Sequence, residues 1–371
     1  MAVAVLDLPP GVELLGALRQ ALDGGPAILP LDPRLPGAQR ERLLAALRPG
    51  DPVHPDVAVV LATSGSAGTP KGVELTGKAL YASAEASLAR LGATSRDRWL
   101  CCLPPSHIAG VQVLVRALVL GTEPVIHPRF DPADVARADA THISVVPTML
   151  LRLLDAGVDV ARFDGILLGG ASTPPRLLAR ARAAGARIVT TYGMTETAGG
   201  CVYDGRPLDG VEVELAPDGL IRIRGAVLAR GYRCAADELL SDGWFQTSDL
   251  GSMSGDGRLQ VLGRADEMIV TGGENVAPDA VAALLTEHPD VRDAAVVGRP
   301  DPEWGHRVVA LVVPANPTQP PTLDLLRRFV TAHATAAHAP RELVLLDALP
   351  LLPNGKLDRA ALAESPNEDG V

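Results

Sequence analysis

Short, mostly apolar runs alternate with helical segments from residue 57 to about residue 191, and this alternation limits the fold more than any other feature of the chain. Runs at 57–62, 99–103, 123–127, 142–146, 165–168 and 187–190 have the length and β-branched content of buried strands. Segments 78–91, 108–120, 132–138, 148–154 and 174–184 between them read as helices. Such alternation builds a mostly parallel, doubly wound sheet, which takes its ligands beyond the carboxyl ends of its strands. After residue 200 the texture changes. VEVEL (211–215) and LIRIR (220–224) alternate around a Pro-Asp-Gly turn, as half-exposed hairpin strands do. The last third mixes helices (278–288, 322–332) with strands (294–297, 307–313, 343–346), a compact α+β unit with a Pro-rich internal loop at 314–321. The fold class expected is therefore α/β. A large N-terminal domain (1–264) carries doubly wound, mostly parallel sheets and a small β subdomain (about 202–262), and a small α+β domain (265–371) follows.

The first strand runs into TSGSAGTPKG (63–72). Hydroxyls on Thr63, Ser64, Ser66 and Thr69, the flexible Gly65 and Gly68, and the cation Lys71 make a loop suited to a phosphate chain. It is not a Walker A loop, because Lys71 is followed by Gly72 and Val73 rather than Ser or Thr. A plain surface turn remains the structural alternative. Lysine is scarce. Of 34 basic residues only Lys71, Lys78 and Lys356 are lysines, so a lysine in a Gly-rich turn reads as a needed point charge.

A net charge of −10 argues against nucleic acid or anionic membrane as the main partner. Four cysteines without metal or disulfide spacing suit a reducing cytosol. No run has the ~20 apolar residues a membrane span requires, and no signal peptide is legible at the N-terminus, so a cytoplasmic location is expected.

TYGMTET (191–197) offers the aromatic Tyr192, hydroxyls including Thr195, and the carboxylate of Glu196. An aromatic could stack on a base, a hydroxyl could bond phosphate and a carboxylate could hold Mg2+; a helix N-cap would use the same residues.

With these two segments in place, the chain resembles the adenylate-forming superfamily of acyl-CoA synthetases, firefly luciferase and peptide-synthetase adenylation domains, over residues 57–358. TSGSAGTPKG is similar to the family's phosphate loop, with Ala67 in place of a frequent Thr. Gly169-Gly170-Ala171 looks like the adenine-wall turn, and Tyr192-Gly193-Met194-Thr195-Glu196 like the adenine and magnesium segment. TSDLG (247–251) looks like the segment whose aspartate, here Asp249, binds the ribose hydroxyls. Arg264 would contact ribose or phosphate, Asp266 sits at the hinge position, and Gly272-Gly273 would line the pantetheine channel. Lys356 in PNGK matches the lysine of the mobile C-terminal lid. The resemblance implies two steps, formation of acyl-AMP from ATP and a carboxylate, then thioester formation with CoA. It also implies ATP, Mg2+ and CoA as the small molecules used. Lys356, Thr195 and Glu196 would be catalytic, with Glu196 holding Mg2+.

PPSHIAG (104–110) matches the family segment that opens the acyl pocket, which places His107 and Gly110 there, and it lacks the aspartate of amino-acid-activating relatives. The helix that follows is apolar except for Gln112 and Arg116, four residues apart and so on one face. A buried arginine needs an anionic partner, either an internal carboxylate or a second carboxylate on the substrate. A short N-terminal region, PPSHIAG and Arg116 together look like the o-succinylbenzoate–CoA ligases of menaquinone biosynthesis in their short actinobacterial form, with an aromatic dicarboxylic acid as substrate. Another aryl- or acyl-CoA ligase, an enzyme loading a carrier protein, and a non-catalytic nucleotide-binding module stay open at this point. So does the oligomeric state, a homodimer included.

Overall fold

The computed structural model describes residues 2–64, 70–234, 239–351, 357–358 and 361–362. Lys356, Gly65, Ser66, Gly68 and Thr69 lie outside the described residues, as does the side chain of Ser64. The chain divides into two compact units. One comprises residues 1–170, 181–214 and 222–247, the other 171–180, 215–221 and 248–371.

The first unit holds the expected doubly wound sheet. Seven strands run in the order Arg206–Pro207, Gly199–Tyr203, Ile188–Met194, Gly165–Leu168, His142–Val145, Trp99–Cys101, Val125–Ile126. The central pairings are parallel and only the Gly199–Tyr203 side is antiparallel. The central strands are buried on both faces, hence their unbroken apolar runs. The helix Ile108–Leu120 covers the expected residues because Gly121, at φ 69°, ends it in the left-handed conformation that glycine adopts without strain. At the other end of the same logic, the Thr76 side chain accepts the Ala79 N–H at 3.0 Å and starts the helix Gly77–Leu91.

One arrangement differs from the sequence reading. The Gly-rich loop does not lead from a strand straight into a helix. Val57–Ser64 pairs antiparallel with a further strand, Pro70–Thr76, so the two flanks of the Gly-rich segment are paired strands. Both belong to a separate five-stranded sheet with Ala4–Leu6, Ile28–Pro30 and Gly231–Arg233. Gly72 stands here because a Cβ would meet Leu47 Cδ2 at 2.7 Å and Arg233 Cβ at 3.1 Å.

The Pro-Asp-Gly hairpin is present. Val211–Leu215 and Leu220–Gly225 are sheet neighbours, and Gly219 N–H donates to the Ala216 carbonyl at 2.8 Å. In the second unit, Gly305–Pro314 pairs with Val291–Asp301, Ile269–Thr271 and Glu342–Leu345. Its run from Val308 to Val313 is apolar throughout because both faces are covered. Val308, Ala310 and Val312 join Leu285, Leu326 and Val330 in one core cluster, and Val309 and Leu311 join Val344 and Leu362 in another.

Candidate active site

Parallel register brings the Gly169-Gly170 turn, expected to wall the adenine, beside the aromatic segment. Leu168 lies opposite Thr190, so Gly169 follows alongside Thr191. A side chain at Gly169 is excluded, since its Cβ would sit 2.1 Å from Thr191 Oγ1, and Gly170 has φ 82°. Tyr192, Gly193 and Met194 form the end of the strand Ile188–Met194 rather than a loop, and Tyr192 is half-buried. Gly193 lies against Gly200, and a Cβ there would stand 2.1 Å from the Gly199 carbonyl oxygen.

Thr195–Thr197 is one 3-10 turn, and it turns Glu196 inward. Glu196 is 9% exposed. Its Oε1 accepts the Tyr232 hydroxyl at 3.0 Å, and no ion pair reaches it among the described residues. A buried carboxylate with a single neutral donor has capacity left for a cation, so the residue fits a magnesium ligand. No group of three or more His, Cys, Asp or Glu side chains placed to hold a metal occurs among the described residues.

Tyr232 ties this turn to the hairpin. Its strand, Gly231–Arg233, pairs antiparallel with Pro70–Thr76, placing Tyr232 opposite Val73. Lys71 Nζ lies 4.9 Å from the centroid of the Tyr232 ring. Thr63 pairs with Lys71 across the hairpin, and its hydroxyl donates to the Lys71 carbonyl at 3.4 Å. Burial and the neighbouring Glu196 charge push the Tyr232 phenol well above its ordinary value, which keeps it protonated and donating. The sequence reading passed over Tyr232. The available signal was scarcity, since the chain has only four tyrosines and this one follows a glycine between short strands.

The residues expected on the acid side, His107, Gly110 and Arg116, lie at the start of or within one helix, Ile108–Leu120. His107 is its N-cap residue and is exposed. Gly110 is buried in its first turn, where a Cβ would stand 2.5 Å from the Pro104 carbonyl oxygen, so packing alone requires glycine there. Arg116 is 5% exposed. Its Nη2 donates to Ser144 Oγ at 2.9 Å, and the guanidinium lies 4.2 Å over the Trp99 ring. Its Nε has no partner, and no Asp or Glu pairs with it among the described residues. The internal salt bridge that would have explained this arginine structurally is thus absent among those residues. Burial lowers its pKa from the free value. Other orphaned buried atoms gather nearby in the chain: Trp99 Nε1, Ser106 Oγ, Gln112 Oε1 and His127 Nδ1. Native interiors hold few such atoms, and each is a polar group that the described residues leave without a partner.

The remaining residues belong to the second unit, Ala171 among them, exposed just after the Gly169-Gly170 turn. Asp249 lies opposite Arg264 in an antiparallel pair and is half-buried. Arg264 grips Asp266 with two parallel bonds, Nε to Oδ1 at 2.8 Å and Nη2 to Oδ2 at 2.6 Å. Both partners are more than 40% exposed, so the pair contributes at most about 1 kcal/mol and is cheaply opened. Gly272 and Gly273, at φ 58° and 83°, are the two central residues of the tight hairpin between Ile269–Thr271 and Glu274–Val276, a turn that demands positive φ at both.

Residues 21–233 match the AMP-binding enzyme family model, and residues 280–356 match that of the AMP-binding enzyme C-terminal domain. The chain is 46% identical over 365 residues, 94% of each protein, to the probable 2-succinylbenzoate–CoA ligase of Mycobacterium tuberculosis H37Rv. It is similar to the o-succinylbenzoate CoA synthetase of Bacillus subtilis in complex with its acyl-adenylate intermediate. There the TM-score is 0.87 and identity 28%, over 99% of this chain and 89% of that one. The same synthetase with ATP and magnesium ion aligns with a TM-score of 0.84 and 28% identity, over 97% and 88% of the two chains.

Proposed function

Because the chain belongs to the AMP-binding enzyme family, we propose that it is an ATP-dependent acid–CoA ligase that converts o-succinylbenzoate to o-succinylbenzoyl-CoA. In the first step a carboxylate oxygen bonds to the α-phosphorus of ATP, the bond to the β-phosphate oxygen breaks, and pyrophosphate leaves. In the second the CoA thiol loses its proton, its sulfur bonds to the acyl carbon, and AMP departs. Both steps depend on positioning and on neutralising charge that gathers on oxygen.

Arg116 is the single observation that carries the acid assignment. A guanidinium so buried, with one hydroxyl and one aromatic face for company, is undercompensated. A substrate bearing a second carboxylate supplies the missing anion. His107, at the open end of the same helix, would flank the ring of the acid.

For the nucleotide, Thr63, Lys71 and the rest of the 63–72 loop would hold the β- and γ-phosphates. Thr195 would hold the α-phosphate, and Tyr192 with the Gly169-Gly170-Ala171 turn would enclose the adenine. Glu196 would hold Mg2+, whose bound charge offsets that of the phosphates. Asp249 would bind the ribose hydroxyls. Arg264 would join it at ribose or phosphate once released from Asp266, which we assign as the hinge between residues 1–264 and a mobile 265–371. Lys356 would neutralise the approaching oxygens in the first step, and Gly272-Gly273 would pass the pantetheine arm in the second. The four cysteines are free, as they would be in a reducing cytosol, the compartment we assign. No described helix is long and apolar enough to cross a membrane.

Thioester formation over a small acid panel tests the reading. o-Succinylbenzoate should give CoA thioester and acid-dependent exchange of pyrophosphate into ATP. Turnover of plain benzoate without turnover of o-succinylbenzoate would overturn the substrate. Lys356→Ala should abolish most adenylation while sparing thiol attack on preformed acyl-AMP, and equal loss in both halves would remove the lysine from that role.

A further inference from the structure

We infer that Tyr232 is a positioning residue that keeps Lys71 and Glu196 from neutralising each other, holding the ammonium on its ring face and the carboxylate on its hydroxyl. The inference rests on the proposed assignment of Glu196 to Mg2+ and Lys71 to phosphate. Both charges touch one side chain, Nζ at 4.9 Å from the ring centroid and Oε1 at 3.0 Å from the phenol oxygen. Neither makes an ion pair among the described residues. A buried carboxylate and an ammonium sharing a neighbour should otherwise collapse onto one another, since their attraction grows as water is excluded. Paired in that way, Lys71 would be lost to the phosphates and Glu196 to the metal.

A tyrosine is suited to this separation. Its quadrupole attracts the cation to the ring face without consuming a hydrogen bond. Its hydroxyl occupies one lone pair of Oε1 and leaves the carboxylate charged, with Oε2 available. An arginine or lysine at this position would compete with the metal. Strand pairing fixes the spacer, because Tyr232 stands opposite Val73 in the strand that also carries Lys71, while the Ala229 N–H donates to the Glu196 carbonyl at 2.8 Å.

Two variants separate its two contacts. Tyr232→Phe keeps the ring and loses the donor. Tyr232→Leu loses both. Binding of ATP should be measured calorimetrically on the full chain, with Mg2+ and with EDTA, alongside the Mg2+ concentration for half-maximal pyrophosphate exchange. Tyr232→Phe should raise that Mg2+ requirement about tenfold, the worth of one hydrogen bond to a charged group, and leave metal-free ATP binding within about twofold. Tyr232→Leu should also weaken metal-free ATP binding, because Lys71 turns to Glu196. Restoring that binding by combining Tyr232→Leu with Glu196→Gln is the signature of separation, as a purely structural tyrosine would give no rescue. Glu196→Gln alone serves as the control. If it leaves the Mg2+ requirement unchanged, the metal assignment fails. If it raises the requirement while neither Tyr232 variant does, or if the double variant shows no rescue, the spacer role fails and the metal assignment stands.

Discussion

Two arginines are buried in the first unit, and their surroundings are opposites. Arg233 is 6% exposed and fully engaged. Its Nε donates to the Leu47 carbonyl, Nη1 to Glu74 at 3.2 Å, and Nη2 to the Arg48 and Asp51 carbonyls. Arg116 is 5% exposed and has one hydroxyl, one ring face and an orphaned Nε. Desolvation costs both of them alike, but only Arg233 recovers that cost within the fold. The contrast teaches that burial of a charge does not mark a site by itself. What singles out Arg116 as a candidate is the donor left unspent among the described residues.

The comparison can be broken in four places. Arg233→Leu removes the guanidinium from its carbonyls and leaves Glu74 without its buried partner, and should cost about 3–5 kcal/mol of stability by denaturant unfolding. The fraction that stays folded should keep its acid preference, and a large shift in that preference would erase the distinction. Arg116→Leu should do the reverse. Stability should hold or rise, since an undercompensated charge leaves the core. KM for the dicarboxylic acid should climb about 10–100-fold against little change for a monocarboxylic analogue, the scale of a hydrogen bond between charged groups. Equal effects on both acids would make Arg116 structural after all. Ser144→Ala removes one hydroxyl acceptor from Arg116 but leaves the guanidinium in place, and should raise the same KM only severalfold, about 1 kcal/mol, with the monocarboxylic acid again unaffected.

The smallest effect concerns pH. His142 packs against Trp99 with ring centroids 5.0 Å apart, its Nδ1 lies 2.9 Å from Thr141 Oγ1, and Asp97 stands 3.7 Å away. Burial holds its pKa below the free value, the positive charge of Arg116 adds to this, and Asp97 and Asp164 oppose it. As pH falls below about 6.5, the unfolded chain takes up a proton that the folded chain resists, so stability should decline with falling pH. His142→Gln should flatten that slope, and Arg116→Leu should reduce it. A slope unchanged by Arg116→Leu would show that the guanidinium charge is screened from its neighbours.

Much of the first unit was legible because its signals are local. The strand Gly165–Leu168 and the helix Ile108–Leu120 follow from run length, periodicity and a terminal glycine. Pro70–Thr76 was missed because Lys71, Gly72 and Glu74 interrupt its apolar pattern, and its partners are Val57–Ser64 and the distant Gly231–Arg233. Of the candidate site, Lys71, Tyr192, Glu196 and Arg116 could be named from motifs and from an odd charge in an apolar helix. Tyr232, Trp99 and Ser144 could not, because each earns its place through a pairing that no short window contains.

The sequence by itself determined the kinds of element, the doubly wound core and the family resemblance, and it named the candidate phosphate loop, because each of these signals rests on residue types within a few positions of one another. Tertiary structure alone decided that Arg116 lacks a carboxylate partner among the described residues while Arg233 has one, and that a single tyrosine stands between Lys71 and Glu196. Whether a buried charge is satisfied depends on sheet register between distant strands, and register is set by the packing of the whole unit.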